Sequence, residues 1–158
     1  MRREESRWLR LAGWILFLLY LAILIYLLFF SETYGRRGAA DRAYRYNLQP
    51  FQEIRRFVRY WRQVGFSAAL TNLGGNVLGF LPFGFFLPAL MSRMRRLLPV
   101  LVLGFLVSLS VELIQLVTRV GIFDVDDLIL NTLGALLGYL FFVVWQRMRR
   151  KRYHGKKI

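Results

Sequence analysis

The sequence predicts an all-α, polytopic membrane protein: an integral helical bundle of four transmembrane helices plus an interfacial amphipathic helix. The first observation is that 56% of its 158 residues are hydrophobic, with a mean hydropathy of +0.39, while the formal net charge is +14. The second is that the charges lie in blocks and the apolar residues in long runs. Soluble domains rarely combine these properties, whereas multi-pass membrane proteins do so regularly.

Four apolar runs are long enough to cross a hydrocarbon core of about 30 Å, which needs roughly 20 residues. The first run follows a charged segment but exceeds the roughly 7–15 apolar residues of a signal peptide, so it is interpreted as a retained helix. The domain prediction is an N-terminal segment at 1–10, a transmembrane domain at 11–146 and a basic tail at 147–158. Within the domain, the predicted spans are about 11–30, 68–91, 97–118 and 126–146, and the outer loop is 31–67.

The distribution of arginine and lysine predicts that both termini are cytoplasmic. The tail from 147 to 157 holds seven basic residues and no acid, and the link between the second and third spans holds Arg93, Arg95 and Arg96. Excess Lys and Arg in short segments is typical of the cytoplasmic side. The eight arginines of 31–62 run against this, but they lie in a long loop that also holds acids. Membrane topology therefore explains the basic balance, and no nucleic-acid partner is expected.

The end of the outer loop predicts a basic amphipathic helix at about 50–62. Pro50 suits a helix start, and apolar residues then recur at helical spacing between arginines. These apolar residues are Phe51, Ile54, Phe57, Val58 and Trp61, and the arginines are Arg55, Arg56, Arg59 and Arg62. Such a helix suits a membrane surface with anionic phosphates, although packing over the helix bundle is the alternative.

The second span is rich in glycine and carries two prolines. Asn72, Asn76 and Gly79 fall on one helical face, and Pro82 and Pro88 cannot donate backbone hydrogen bonds. A kink or break is therefore expected at Pro82, with Asn76 and Gly79 against the third and fourth spans. Close helix packing through small residues is the alternative explanation of the glycines.

A polar stripe on the third span faces polar residues that open the fourth. Ser108, Glu112, Gln115 and Arg119 fall within an arc of roughly 60° at 100° per residue. A glutamate in an apolar helix is costly in lipid, so Glu112 is expected to face the bundle interior. It should meet a side-chain amide of Asn72, Asn76 or Asn131. Arg119 is expected to form an ion pair with one of the aspartates, Asp124, Asp126 or Asp127. The predicted polar funnel comprises Asn72, Asn76, Glu112, Gln115, Arg119, Asp124, Asp126, Asp127 and Asn131.

Three functions are compatible with this funnel. The first is a non-catalytic binding site for a polar headgroup, with membrane lipids and a cell-wall lipid or lipoglycopeptide as partners. The second is an enzyme in which the acids hold a divalent cation that acts on a lipid phosphate. The third is a purely structural or accessory role through interhelical hydrogen bonds. The chain has no cysteine, its single histidine lies in the tail, and no nucleophile is evident, so no catalytic residue and no cofactor are predicted. A metal at the acids and the oligomeric state stay open.

Several segments resemble the VanZ-like family, which is named for a teicoplanin-resistance membrane protein. They are NLQPF at 47–51, NLGGNVLGFLPFGFFLP at 72–88, SLSVELIQ at 108–115, Arg119, and DVDDLILNTLGALLGY at 124–139. The resemblance implies a small multi-pass protein of the bacterial cell membrane. It also implies a link between the cell envelope and reduced sensitivity to a lipoglycopeptide antibiotic.

Overall fold

The computed structural model describes residues 2–30, 44–64 and 70–154. The remaining residues include the predicted irregular start of the outer loop at 31–43, the junction at 65–69 and the end of the tail. The described helices are α1 (Arg2–Phe30), α2 (Gln52–Val64), α3 (Gly75–Leu90), α4 (Leu97–Thr118) and α5 (Val125–His154), and a π-helical turn (Leu70–Gly74) precedes α3. The two-residue strands β1 (Tyr46–Asn47) and β2 (Phe123–Asp124) pair in parallel.

The all-α prediction is confirmed. Four described helices are long and apolar enough to cross a membrane, at Arg7–Phe30, Leu70–Leu90, Leu97–Thr118 and Val125–Arg150. The last helix continues past the predicted end of the fourth span, because the basic residues after 146 remain helical. The short parallel strand pair was not predicted from the sequence.

Helices α3 and α5 pack with their backbones in contact. A Cβ at Gly84 would overlap the carbonyl oxygen of Ala135, and a Cβ at Gly138 would overlap that of Leu81. Gly134 is similarly close to the carbonyl of Val77. Without a hydrophobic force between helices in lipid, such close approach gives the dispersion contacts that hold a bundle together. The small residues are therefore a packing seam between the second and fourth spans.

Helix α1 closes the bundle on the other side of α3. Phe17 is 5% exposed and clusters with Phe83, Leu87 and Ala135. Past its charged first turns, the remaining surface of α1 is largely apolar and exposed, as at Leu18, which suits contact with lipid. The bundle thus buries one face of each span and leaves the rest to the bilayer.

Helix α3 runs through both prolines without a break in its helical backbone. Asn76 is buried and faces α5, as expected. Gly79 faces α1 instead: the hydroxyl of Tyr20 donates to its carbonyl oxygen at 2.6 Å, and Leu24 lies beside its Cα. The expected placement of Gly79 against the third and fourth spans is therefore wrong. The sequence could not show that Tyr20 of α1 would donate a hydrogen bond to the carbonyl of Gly79.

Helix α2 packs over one end of the bundle. Phe57 is 3% exposed, while the next residue, Val58, lies about 100° further around the helix and is 66% exposed. The backbone leaves helical geometry at Tyr60, which the sequence did not predict. The amphipathic pattern therefore serves packing on one face, and contact of the exposed face with the membrane surface stays a prediction.

Candidate functional site

A polar cavity of about 900 Å³ lies at the end of the bundle where α1 and α4 finish and α3 and α5 begin. All nine residues of the predicted funnel line it, namely Asn72, Asn76, Glu112, Gln115, Arg119, Asp124, Asp126, Asp127 and Asn131. The i, i+4 spacing on α4 and the acidic start of α5 thus converge on one space. Their part in a function stays a prediction.

The first turn of α5 is fixed by a chain of carboxylates that accept hydrogen bonds from backbone N–H groups. Glu112 is 2% exposed, and its Oε2 accepts from the backbone N–H of Asp124 at 2.9 Å. Asp124 Oδ1 accepts in turn from the backbone N–H of Asp126 at 2.9 Å. This second contact is an N-cap, which satisfies a donor that a helix start leaves unpaired. The expected partner of Glu112 was a side-chain amide of Asn72, Asn76 or Asn131, and the backbone N–H of β2 is a donor that the sequence did not predict.

The same chain continues from α5 to α2. Asp126 is fully buried, and its carboxylate accepts the backbone N–H groups of Phe51 and of Ile54, the latter at 3.0 Å. Phe51 has a φ of 65°, a left-handed conformation that turns the chain into the helix. A side chain of the fourth span therefore caps the amphipathic helix and holds it across the cavity.

Asparagines complete the hydrogen bonding of the acids. Asn76 Nδ2 donates to Asp127 Oδ1 at 2.5 Å, and this bond joins α3 to α5. Asn47 Nδ2 donates to both oxygens of Asp124 at 3.3 and 3.4 Å, next to the strand pair. Burial raises the pKa of the Asp124 carboxyl, and the hydrogen bonds from Asp126 and Asn47 oppose that shift only in part.

Asn131 is 2% exposed and only one of its two amide atoms has a partner. Its Nδ2 donates to Ser108 Oγ at 2.8 Å, while its Oδ1 accepts no hydrogen bond from any residue that the structure describes. A buried acceptor without a partner costs about 1–3 kcal/mol, so it stands out in a folded protein. Because Asn131 lines the cavity, that oxygen is available to a donor placed there.

The expected ion pairs of Arg119 are absent from the described residues. Its guanidinium lies over the ring of Tyr44, with Cζ 4.5 Å from the ring centroid, and no carboxylate of the described segments is within ion-pair distance. Arg119 ends α4 in the left-handed conformation, with φ of 56°. The backbone turns at this residue, and its side chain lies against Tyr44 instead of beside the aspartates. Gln115 also has a partner within the fold: its Nε2 donates to the carbonyl of Leu28, at the end of α1, at 2.9 Å.

One side of the cavity comes from residues that sequence reasoning did not assign to the site. They belong to the segment before α2 and to α2 itself: Tyr44, Arg45, Tyr46, Asn47, Gln52, Glu53, Arg56 and Phe57. Arg56 and Glu53 form an ion pair at 2.8 Å. Burial raises the pKa of Glu53 above its usual value, and Arg56 acts in the opposite direction. The segment NLQPF was the available signal, because it begins at Asn47 and ends where Asp126 caps the helix.

The fold and cavity define a multi-pass helical membrane protein with a polar cavity at one end of its bundle. Comparison with known proteins identifies the family: the chain belongs to the VanZ/LLP1 family, whose sequence model matches residues 17–146. It is similar to Protein VanZ of Enterococcus faecium, with 31% identity over 121 residues, which are 76% of this chain and 66% of that protein. The chain thus spans about two thirds of that relative's length. No solved structure matches it.

Proposed function

We propose that the cavity opens to the outer face of the cell membrane and binds, without catalysis, the polar headgroup of an envelope lipid or a lipoglycopeptide. The observation that carries this proposal is the cavity's position and lining: about 900 Å³ of space, walled by arginines, amides and carboxyl groups, at the end of an apolar bundle. Cavities of roughly 300–1,000 Å³ are the usual size of ligand pockets. The unpaired Asn131 Oδ1 supports a ligand that carries a hydroxyl or N–H donor.

The outward orientation follows from the basic segments at the other end of the bundle. The link with Arg93, Arg95 and Arg96 lies between α3 and α4 at the end opposite the cavity, and Tyr139 of α5 donates to the carbonyl of Arg95 at 2.9 Å. The basic stretch that ends α5 lies beyond Tyr139, on the same side. Since such segments favour the cytoplasm, both termini are cytoplasmic and the cavity faces outward.

The orientation can be measured with reporter fusions. A reporter at Lys157 should show a cytoplasmic location, and a reporter inserted within 35–45 should show an external one. Substituted-cysteine labelling offers an independent measurement, because the chain has no native cysteine. A cysteine at Asn72 should react with an impermeant maleimide in intact cells, and a cysteine at Arg93 should not. Labelling of the cysteine at position 93 alone would place the cavity on the cytoplasmic side and contradict the proposal.

A catalytic role on lipid phosphate is less well supported. The described residues include no group of three or more His, Asp or Glu side chains placed to hold a metal ion. The carboxylates instead hold backbone N–H groups and amides, as the chain from Glu112 to Asp126 illustrates. We therefore assign the acids to the architecture of a binding site.

The family relationship supports a lipoglycopeptide connection. The similar Enterococcus protein bears the name of the family, and the family resemblance implies reduced sensitivity to teicoplanin. A headgroup site on the outer face suits that role in two ways, through binding of the drug itself or of the envelope lipid whose exposure sets sensitivity. Both place the ligand in the same cavity.

The test is to fill the cavity without disturbing the bundle. Asn72 is exposed and lines the cavity, so Asn72→Trp should occupy the space that a headgroup needs. Teicoplanin sensitivity should be measured in a sensitive Gram-positive host that expresses wild type or variant at equal membrane abundance. We expect wild type to lower sensitivity and Asn72→Trp to abolish that effect.

The matched control is the neighbouring exposed residue Thr71, which does not line the cavity. Thr71→Trp adds the same side chain one position away and should behave as wild type. Equal loss of protection in both variants would show that the cavity is not the cause. Full protection by Asn72→Trp would contradict the proposed site.

A further inference from the structure

We propose that the group recognised in this cavity is a phosphate, held by the guanidinium groups of Arg45 and Arg119. This inference rests on the proposed function, because it names the ligand class of the same site. Its basis is that the acidic residues and the arginines of the cavity differ in their partners. The acids already have donors within the fold, while these two arginines have no carboxylate partner among the described residues.

Five carboxyl groups of the described residues line the cavity, and each has a donor from the protein. Glu53 is paired with Arg56, and Asp127 accepts from Asn76. The other three are linked through backbone N–H groups: Glu112 accepts from Asp124, Asp124 from Asp126, and Asp126 from Phe51 and Ile54. A carboxylate that caps a helix or holds a loop cannot be given to a ligand without loss of that contact. The acids are therefore the frame of the site.

The arginines are arranged differently. Arg119 lies against the face of Tyr44, which orients the guanidinium plane without neutralising its charge. Arg45 follows Tyr44 directly and is exposed, and its carbonyl accepts from the backbone N–H of Phe123, so the segment that carries it is tied to the cavity wall. Both side chains line the cavity. The two cations are thus placed on a fixed scaffold, and no described carboxylate pairs with either of them.

The chemistry of the guanidinium selects the ligand. Its planar set of N–H donors matches phosphate oxygens in pairs, which makes arginine the usual residue for phosphate recognition. The cavity lies at the end of the bundle where α1 and α4 finish and α3 and α5 begin. This end is at the depth where a bilayer places its lipid phosphates. Repulsion from the acids is reduced, because Glu53 is paired with Arg56 and Asp124 accepts hydrogen bonds from the backbone N–H of Asp126 and from Asn47.

The phosphate could come from a lipid headgroup or from free phosphate, and the probes separate the two sources. The full chain, purified in an uncharged maltoside detergent, is titrated with dihexanoyl phosphatidic acid, with inorganic phosphate and with dihexanoyl glycerol. A short-chain lipid with a trimethylammonium head serves as the cationic probe. The dissociation constant is measured by calorimetry for wild type, Arg45→Gln, Arg119→Gln and Arg119→Lys.

We expect wild type to bind dihexanoyl phosphatidic acid, and each Gln variant to weaken that binding about tenfold or more, the effect of losing one charged hydrogen-bonding group. Arg119→Lys should recover part of the loss, because it restores the charge without the planar donors. Equal affinity for inorganic phosphate would identify free phosphate as the source, and binding of the lipid alone would identify a headgroup. Both outcomes support phosphate recognition.

The matched control is Arg59→Gln, which removes an exposed arginine of α2 that does not line the cavity. Its affinity should equal that of wild type. If phosphatidic acid binds and the two Gln variants retain full affinity, the arginine assignment fails while the cavity remains a headgroup site. Tighter binding of the cationic probe would assign recognition to the acids and overturn the inference. No binding of any probe would reject this inference, whereas the proposed function is rejected separately, by full protection in Asn72→Trp.

Discussion

Gly84→Ala should strongly destabilise the bundle, although it adds only a single methyl group. The new Cβ would overlap the carbonyl oxygen of Ala135, which is backbone of the facing helix and cannot rotate away. Relief requires α3 and α5 to separate along their seam. Overpacking of this kind costs about 3 kcal/mol. The measurement is the free energy of unfolding in mixed micelles, with Gly138→Ala as a second variant because it meets the carbonyl of Leu81 in the same way.

The control lies on the same helix, at Gly79. A Cβ there would lie 3.4 Å from Leu24 Cδ1, an ordinary contact with the end of a flexible side chain. Alanine is also the better helix former by about 1 kcal/mol, so Gly79→Ala should be neutral or slightly stabilising. Wild-type stability in Gly84→Ala would show that the two backbones are not in contact. Equal destabilisation at both positions would show that glycine is needed for another reason.

Much of the fold could be predicted because lipid imposes strong rules on sequence. Length and lack of charge predict the spans, and the cost of a buried carboxylate predicts that Glu112 faces inward. The helical spacing of Glu112, Gln115 and Arg119 was enough to bring them to one cavity with the start of α5. Each of these inferences depends on residues within one or two neighbouring elements.

The contacts that were missed depend on segments far apart in the chain. Arg119 was expected to pair with an aspartate, but the left-handed end of α4 and the ring of Tyr44 place it elsewhere. Asp126 was expected as a ligand or ion-pair group, and it caps a helix that begins more than 70 residues earlier. Helical periodicity contains no information on which loop will lie across the end of a bundle. The parallel pairing of β1 with β2 could not be predicted for the same reason.

Asp126→Ala should release α2 from the end of the bundle. The fully buried carboxylate accepts two backbone N–H groups, from Phe51 and Ile54, and alanine would leave both without a partner. Hydrogen bonds to a charged group contribute about 1.5–3 kcal/mol each, so docking of α2 should weaken by about 3 kcal/mol or more. Hydrogen exchange in detergent measures this directly. Amides of 52–58 should exchange faster by about a hundredfold or more, while those of α4 keep their wild-type protection.

Two variants separate this cap from the charge of the region. Asp126→Asn keeps one accepting oxygen but turns an NH₂ group toward a backbone N–H, so its exchange should be intermediate. Glu53→Gln breaks the ion pair with the half-exposed Arg56, and because surface pairs contribute little, exchange in α2 should stay near wild type. Unchanged protection in Asp126→Ala would mean that packing of Phe57 alone holds the helix. If α2 is released as expected, the cavity also loses the wall that carries Glu53 and Arg56, and binding of phosphatidic acid should fall in the same variant.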